Sequence, residues 1–192
     1  MLDFTPVRNK EKTLLQLVGN LRANDLRALT NEMVDRELEL IRDSTDADVT
    51  FEPSDPTAKD DNAATTEEVN MPWTLGHVIV HVTASSEEAA YMSVELARGT
   101  AYRGGRSRYE THWTTMKTIA QCRECLEESR RMRLAALDMW PREPHVDNLF
   151  QARPDSPQGN CVSRFVAGLN HDDNHLVQIA EVARQGKAAR AK

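Results

Sequence analysis

Two histidines four residues apart, His171 and His175, are the residues of this chain whose type and spacing point most directly to chemistry. The segment around them, residues 169–179, has the apolar spacing of an amphipathic helix. At ~3.6 residues per turn, side chains four positions apart project from the same face of a helix. A helix offers two imidazoles to one metal ion in this way. The pair therefore predicts half of a metal site and requires a further ligand from elsewhere.

A second predicted helix supplies that ligand. Thr74 is a suitable N-cap, and Gly99 supplies a C-terminal stop. On a helical wheel His81 lies at the border of the apolar stripe, whereas His77 falls about 40° further toward solvent. We therefore expect His81, and not His77, to face the interior beside His171 and His175. The stripe itself consists of Leu75, Val78, Ile79, Val82, Ser86, Ala89 and Leu96.

Three imidazoles suit zinc, nickel, iron or copper, and three protein ligands leave one position open for water or substrate. The alternative is that the histidines are hydrogen-bonded core residues without a metal. A zinc-protease motif is excluded, because HExxH requires glutamate at the second position and Asp172 stands there. The wheel directs Asp172 toward the apolar stripe, which predicts either an irregular helix start or a buried partner for this carboxylate.

Several polar residues are candidates for supporting roles. Glu88, two turns after His81, is expected to be a hydrogen-bond partner of a ligand or a surface acid. Gln178 follows His175 by three positions, where it can orient a water molecule or form a hydrogen bond across to another helix. A basic patch for carboxylate or phosphate is formed by Arg98, Arg103, Arg106 and Arg108, although loop arginines are more often only solvated.

The cysteines do not predict a site of their own. Cys122 and Cys125 form a CxxC on a predicted helix, without the second pair of a zinc ribbon or the βαβ context of a thioredoxin motif. We expect them to be small apolar fillers. Cys161 has no partner nearby, and three cysteines do not suggest a disulfide framework.

Composition places the chain among ordinary globular proteins. Its 192 residues fit one domain, with 40% hydrophobic and 28% charged residues. A net charge of −6 argues against nucleic acid as a partner. Because there is neither a membrane-spanning apolar run nor a signal-peptide core at the N-terminus, a cytoplasmic location is expected.

Periodicity predicts an all-α fold with four substantial helices and no convincing strand. A short N-terminal helix precedes a first long helix over about 25–43, and the acidic segment 44–71 is a long loop that touches the body through Val49 and Phe51. The third long helix begins at Thr118 with a capping box and ends before Pro141. The last helix runs from about Asn160 to Gln185, where Gly186 stops it, and the tail 186–192 is frayed. These elements predict one four-helix bundle domain over 1–192, with its core at about 25–185.

The chain resembles the DinB-like family of DNA-damage-inducible helical bundles. The resemblance depends on Trp73-Thr74 opening a helix with His81 eight residues after the tryptophan, on His171-x-x-x-His175 followed by Gln178-Ile179, and on the order of helices over about 25–185. It implies an up-down-down-up four-helix bundle, often a homodimer, with Zn or Ni held by His81, His171 and His175, Fe or Mn being alternatives. The acidic 44–71 loop and the extra N-terminal helix depart from the family.

The resemblance also implies an activity. Relatives with assigned reactions are thiol-dependent S-transferases or isomerases that use low-molecular-weight thiols such as bacillithiol, mycothiol or glutathione. We therefore expect a small-molecule substrate, with Arg103 or Arg106 binding a carboxylate of thiol or substrate. Three alternatives stay open: a metal-dependent hydrolase, a non-catalytic stress protein in which the metal only stabilises the bundle, and a helical interaction module without metal.

Overall fold

The computed structural model of the chain describes residues 1–60, 63, 65–102, 104 and 110–191. These residues are mostly helical. None of the helices within the described ranges combines the length and the apolar character needed to cross a bilayer.

Seven α-helices and one small hairpin make up the regular structure of the described residues. The helices are α1 (Thr5–Arg8), α2 (Leu14–Leu17), α3 (Ala23–Leu40), α4 (Asp46–Val49), α5 (Leu75–Ala97), α6 (Ile119–Asp138) and α7 (Cys161–Arg190), with single 3-10 turns at Thr66–Glu68 and Trp113–Thr115. Strands β1 (Phe150–Gln151) and β2 (Gln158–Gly159) pair antiparallel, with Phe150 opposite Gly159. The expectation of a chain without strands is wrong for this short hairpin.

The predicted starts of α5, α6 and α7 are confirmed, because each of these helices has a side chain that accepts an otherwise unpaired backbone N–H. Thr74 accepts the N–H of His77 at the start of α5. Thr118 forms a capping box with Gln121 at the start of α6. Asn160 accepts the N–H of Ser163 at 3.0 Å and begins α7.

The end of α7 differs from its prediction. Gly186 does not stop this helix, which continues to Arg190, so the tail is not frayed from residue 186. Gly186 is buried, and a Cβ atom there would lie 2.8 Å from Oδ1 of Asp48. Arg190 donates from Nε to both carboxylate oxygens of Asp48 at 3.0 Å. This tertiary contact holds the last turn in helical form.

The N-terminal third also departs from its prediction in detail. Two short helices, α1 and α2, precede the first long helix, which spans Ala23–Leu40 rather than 25–43. The acidic 44–71 segment contains α4, whose Val49 is fully buried, and the expected contact of this segment with the body is therefore confirmed.

Two antiparallel contacts organise the long helices. Between α3 and α6, Arg27 pairs with Asp138 and Asp35 pairs with Arg130, so one helix ascends as the other descends. The most extensive contact joins α5 and α7. There Gly168 allows close approach, because a Cβ atom at this position would lie only 3.0 Å from the Cβ of Ala89. This contact brings the histidines of α5 and α7 together.

Candidate metal centre

The structure brings His81, His171 and His175 into one group. Each offers a ring nitrogen, and the three nitrogens lie within 4.8 Å of one another. Nε2 of His81 is 3.1 Å from Nε2 of His171. All three residues are partly buried, so the nitrogens are both close together and shielded from bulk water.

The spacing fits a metal ion. Two nitrogens bound to Zn at ~2.0–2.1 Å with a tetrahedral angle lie about 3.3 Å apart. The 3.1 Å between His81 and His171 is close to that value. An N–H···N hydrogen bond would also explain this distance, but it would not account for the third imidazole, His175. The donor set therefore suits a borderline divalent ion such as Zn or Ni, with one coordination position open.

A hydrogen bond within α7 orients one of the three imidazoles. Nδ1 of His175 lies 2.7 Å from Oε1 of Gln178, so Nδ1 carries the proton and donates it to the amide oxygen. The lone pair of Nε2 is then free for a metal, the arrangement by which hydrogen-bond partners orient metal-binding histidines. Gln178 thus bonds to a candidate ligand of its own helix rather than across to another helix.

Glu110 is a site residue that the sequence did not predict. Its Oε1 lies 3.9 Å from Nδ1 of His81, on the ring edge away from His171. Glu88, the carboxylate proposed from sequence, is not in the histidine group of the described residues. Glu110 lies at the end of a connection without helical period, and the local sequence therefore carries no signal for its position.

Trp73 forms a wall of the site. Its ring centroid lies 4.5 Å from that of His81 and 6.0 Å from that of His175. His77 stacks between Trp73 at 4.5 Å and Trp113 at 5.2 Å. Only 8% of His77 is exposed, and burial lowers its pKa to about 4. The expectation that His77 faces solvent is therefore wrong, because the turn at Trp113–Thr115 covers this side of α5.

A cavity of about 200 Å³ reaches the site from the surface. Its lining combines His175 and Gln178 with Trp73 and with residues of the acidic 44–71 segment: Asp55, Thr57, Ala58, Lys59 and Met71. A second cavity of about 410 Å³ shares Asp55, Trp73 and Gln178 with it. Part of the acidic segment therefore lines the approach to a candidate metal ligand and is more than a solvated loop.

Asp172 turns away from the histidine group into the core. Its Oδ2 accepts from Nη1 of Arg133 at 2.7 Å, and its Oδ1 accepts from Oγ of Ser86 at 2.5 Å. The prediction of a buried partner is confirmed. The same contacts remove Asp172 as a general base, in agreement with the exclusion of a zinc-protease motif.

The cysteines are buried as expected of apolar fillers. Cys122 and Cys161 are fully buried, and burial raises their pKa values to about 12 and about 11. Cys125 is partly buried, burial raises its pKa, and Thr83 lies 3.4 Å from its sulfur. These thiols are therefore protonated at neutral pH and are poor nucleophiles.

The predicted basic patch falls almost entirely outside the described residues, which include neither Arg103, Arg106 nor Arg108. Arg98 is described, and it is exposed at the end of α5.

No protein-family model, curated protein or solved structure matches the chain. The geometry of the site and the motif resemblance are therefore the observations that bear on function.

Proposed function

We propose that this chain is a metal-dependent enzyme in which His81, His171 and His175 hold one divalent ion, Zn or Ni, and which transfers a low-molecular-weight thiol to an electrophile. The observation that carries the proposal is the convergence of three imidazole nitrogens within 4.8 Å. Because two of these ligands come from α7 and one from α5, the geometry depends on the folded structure rather than on a flexible loop.

We further propose that the four long helices form the up-down-down-up bundle of the DinB-like family and that the protein is a homodimer. The antiparallel pairing of α3 with α6 supports the bundle, as does that of α5 with α7. The motifs at Trp73, His81, His171 and His175 support the family assignment. A dimer would double the 21.7 kDa mass of the chain in sedimentation.

The residues of the chain have distinct roles in this proposal. A bound divalent ion supplies a Lewis acid that favours the thiolate form of a thiol at its open position. The cavity between Trp73 and the segment around Lys59 admits the thiol from the side of His175. Gln178 keeps the Nδ1 proton on His175 and so keeps Nε2 directed at the ion. Glu110 lies 3.9 Å from Nδ1 of His81, on the ring edge opposite the ion, and the thiol proton passes to solvent.

Hydrolysis is the second candidate, because the same open position can activate a water molecule in place of a thiol. The resemblance to thiol-dependent relatives places S-transfer first. In the two remaining alternatives the metal only stabilises the bundle, or the chain is a helical interaction module without metal.

Thiol consumption separates these functions. The wild type, loaded with zinc, is expected to consume thiol in the presence of a soluble electrophile faster than the same mixture without protein. His171→Ala should reduce the rate to background, whereas the exposed control His145→Ala should retain it. Equal rates for wild type and His171→Ala across a panel of thiols would exclude the transferase. Metal-dependent hydrolysis of an activated ester by the same preparation would then support the second candidate.

A further inference from the structure

We propose that Arg133 and Asp172 are positioning residues for the histidine group. Their buried ion pair, fixed to α5 through Ser86, sets the rotation of α7 at which His171 faces His81. An effect of this ion pair on metal binding rests on the proposed function. Its effect on the positions of the imidazoles does not.

The ion pair joins α6 to α7 within the core, and Ser86 adds α5 to the same network. Arg133 of α6 is 2% exposed and Asp172 of α7 is 1% exposed. One carboxylate oxygen accepts from Arg133 at 2.7 Å, and the other accepts from Ser86 of α5 at 2.5 Å. Each oxygen of Asp172 is therefore tied to a different neighbouring helix, so that both shift and rotation of α7 would break a bond.

Asp172 and His171 are consecutive in α7, and one rotation of the helix moves both. A histidine ring nitrogen lies about 6 Å from the axis of its helix, so a rotation of 20° moves it by about 2 Å. Such a displacement would disrupt the 3.1 Å approach between His171 and His81. The bonds of Asp172 resist the same rotation.

The network lies beside a close approach of α5 and α7 at Gly168. Gly168 precedes Asp172 by four residues and therefore shares its helix face. A Cβ atom at Gly168 would lie 3.0 Å from Cα of Ser86, the residue that bonds to Asp172. The glycine sets the distance between the two helices, and the ion pair sets the rotation of one against the other.

A buried ion pair is a poor source of stability, because desolvation of the two charges opposes their attraction. Apolar residues of similar volume often replace such a pair at no loss of stability. Apolar packing does not fix the rotation of one helix against another. Hydrogen bonds to a carboxylate do, because they weaken when their angle changes. The location of this pair, one residue from a candidate metal ligand, is thus explained by geometry.

The test replaces both charges together, as Arg133→Met with Asp172→Leu, so that no lone charge is buried. We expect the double variant to stay folded, to lose the nuclear Overhauser contact between the ring protons of His81 and His171 in metal-free protein, and to bind Zn²⁺ with a Kd raised about tenfold or more. A control ion pair, between Arg130 of α6 and Asp35 of α3, is more exposed, and its removal as Arg130→Met with Asp35→Asn should change neither the ring contact nor the Kd.

The result that overturns the proposal is a folded double variant with the ring contact intact and a Kd within about twofold of wild type. If the double variant does not fold, Ser86→Ala removes a single bond to Asp172, and an unchanged ring contact in that variant equally overturns the proposal. If the wild type binds no Zn²⁺, the proposed metal-dependent function is refuted. The contact between the rings of His81 and His171 still tests whether Arg133 and Asp172 position them.

Discussion

Replacing Glu37 by glutamine is expected to stabilise the protein at neutral pH and to leave its stability nearly unchanged in mild acid. Glu37 lies on α3 with 1% exposure, and neither carboxylate oxygen has a hydrogen-bond partner among the described residues. Burial, followed by the charge of Asp172, raises the pKa of Glu37 well above its ordinary value of 4.5, against the opposing effects of Arg133 and Arg130. In the folded protein Glu37 therefore keeps its proton to a higher pH than an exposed glutamate does.

The magnitude follows from proton linkage. Because the folded-state pKa is raised, the contribution of Glu37 to stability is fully present below pH 4.5 and is lost as the pH rises toward the folded-state pKa. In that window the folding chain must take up a proton, which costs about 1.4 kcal/mol for each pH unit above the unfolded-state pKa. Glutamine has the same shape and needs no proton. The free-energy advantage of Glu37→Gln should therefore grow by about 1.4 kcal/mol per pH unit.

Urea unfolding of metal-free wild type and Glu37→Gln at pH 4.5, 5.5 and 6.5 measures this advantage, since the other titrating groups are common to both proteins. Glu39→Gln, at an exposed position of the same helix, is the control and should shift stability by no more than about 0.5 kcal/mol at each pH. An advantage of Glu37→Gln that does not change with pH, or that shrinks as pH rises, would refute the assignment of a buried proton.

Three further substitutions test the histidine group and the packing at the end of α7. Gln178→Leu removes the acceptor for Nδ1 of His175 and should raise the Kd for Zn²⁺ about 10- to 100-fold, measured by competition with a chelator. Trp73→Phe should abolish most of the change in tryptophan fluorescence that Ni²⁺ causes in the wild type, because Trp73 stacks against the histidine group. Gly186→Ala forces a Cβ atom to 2.8 Å from Asp48 and should lower the free energy of unfolding by about 1–3 kcal/mol.

Each substitution has a control elsewhere in the chain. Gln185→Leu changes a glutamine of the same helix that bonds to Ser54, and it should leave the Kd for Zn²⁺ unchanged. Trp140→Phe, in the core around Phe165, should retain the response to Ni²⁺. Gly19→Ala has its nearest neighbour atom at 3.8 Å and should be tolerated. If a control variant shows the same change as the substitution with which it is paired, the role assigned to the substituted residue is contradicted.

The starts of α5, α6 and α7 and the histidine pair could be predicted because their signals are local. A threonine or asparagine that accepts an N–H three residues on needs no tertiary information, and the capping box at Thr118 is an example. The four-residue spacing of His171 and His175 fixes their common face in the same way. The phase of the apolar stripe was sufficient to select His81 on the partner helix.

The remaining features depend on contacts distant in sequence. His77 is buried because Trp113 stacks on it, and a helical wheel of α5 contains no information about Trp113. Helix α7 passes Gly186 because Asp48, far earlier in the chain, binds Arg190. Glu110 reaches His81 from a connection without periodicity, where sequence spacing gives no direction to a side chain.

The central claim is that three histidines bind one metal ion, and elemental analysis of protein purified without a histidine tag tests it most directly. The wild type should contain, or take up from Zn²⁺ or Ni²⁺, about one ion per chain. His81→Ala and His175→Ala should abolish stoichiometric binding, whereas His77→Ala should retain it, since His77 lies outside the group. Less than about a tenth of an ion per chain in the wild type after incubation with either metal would contradict the claim.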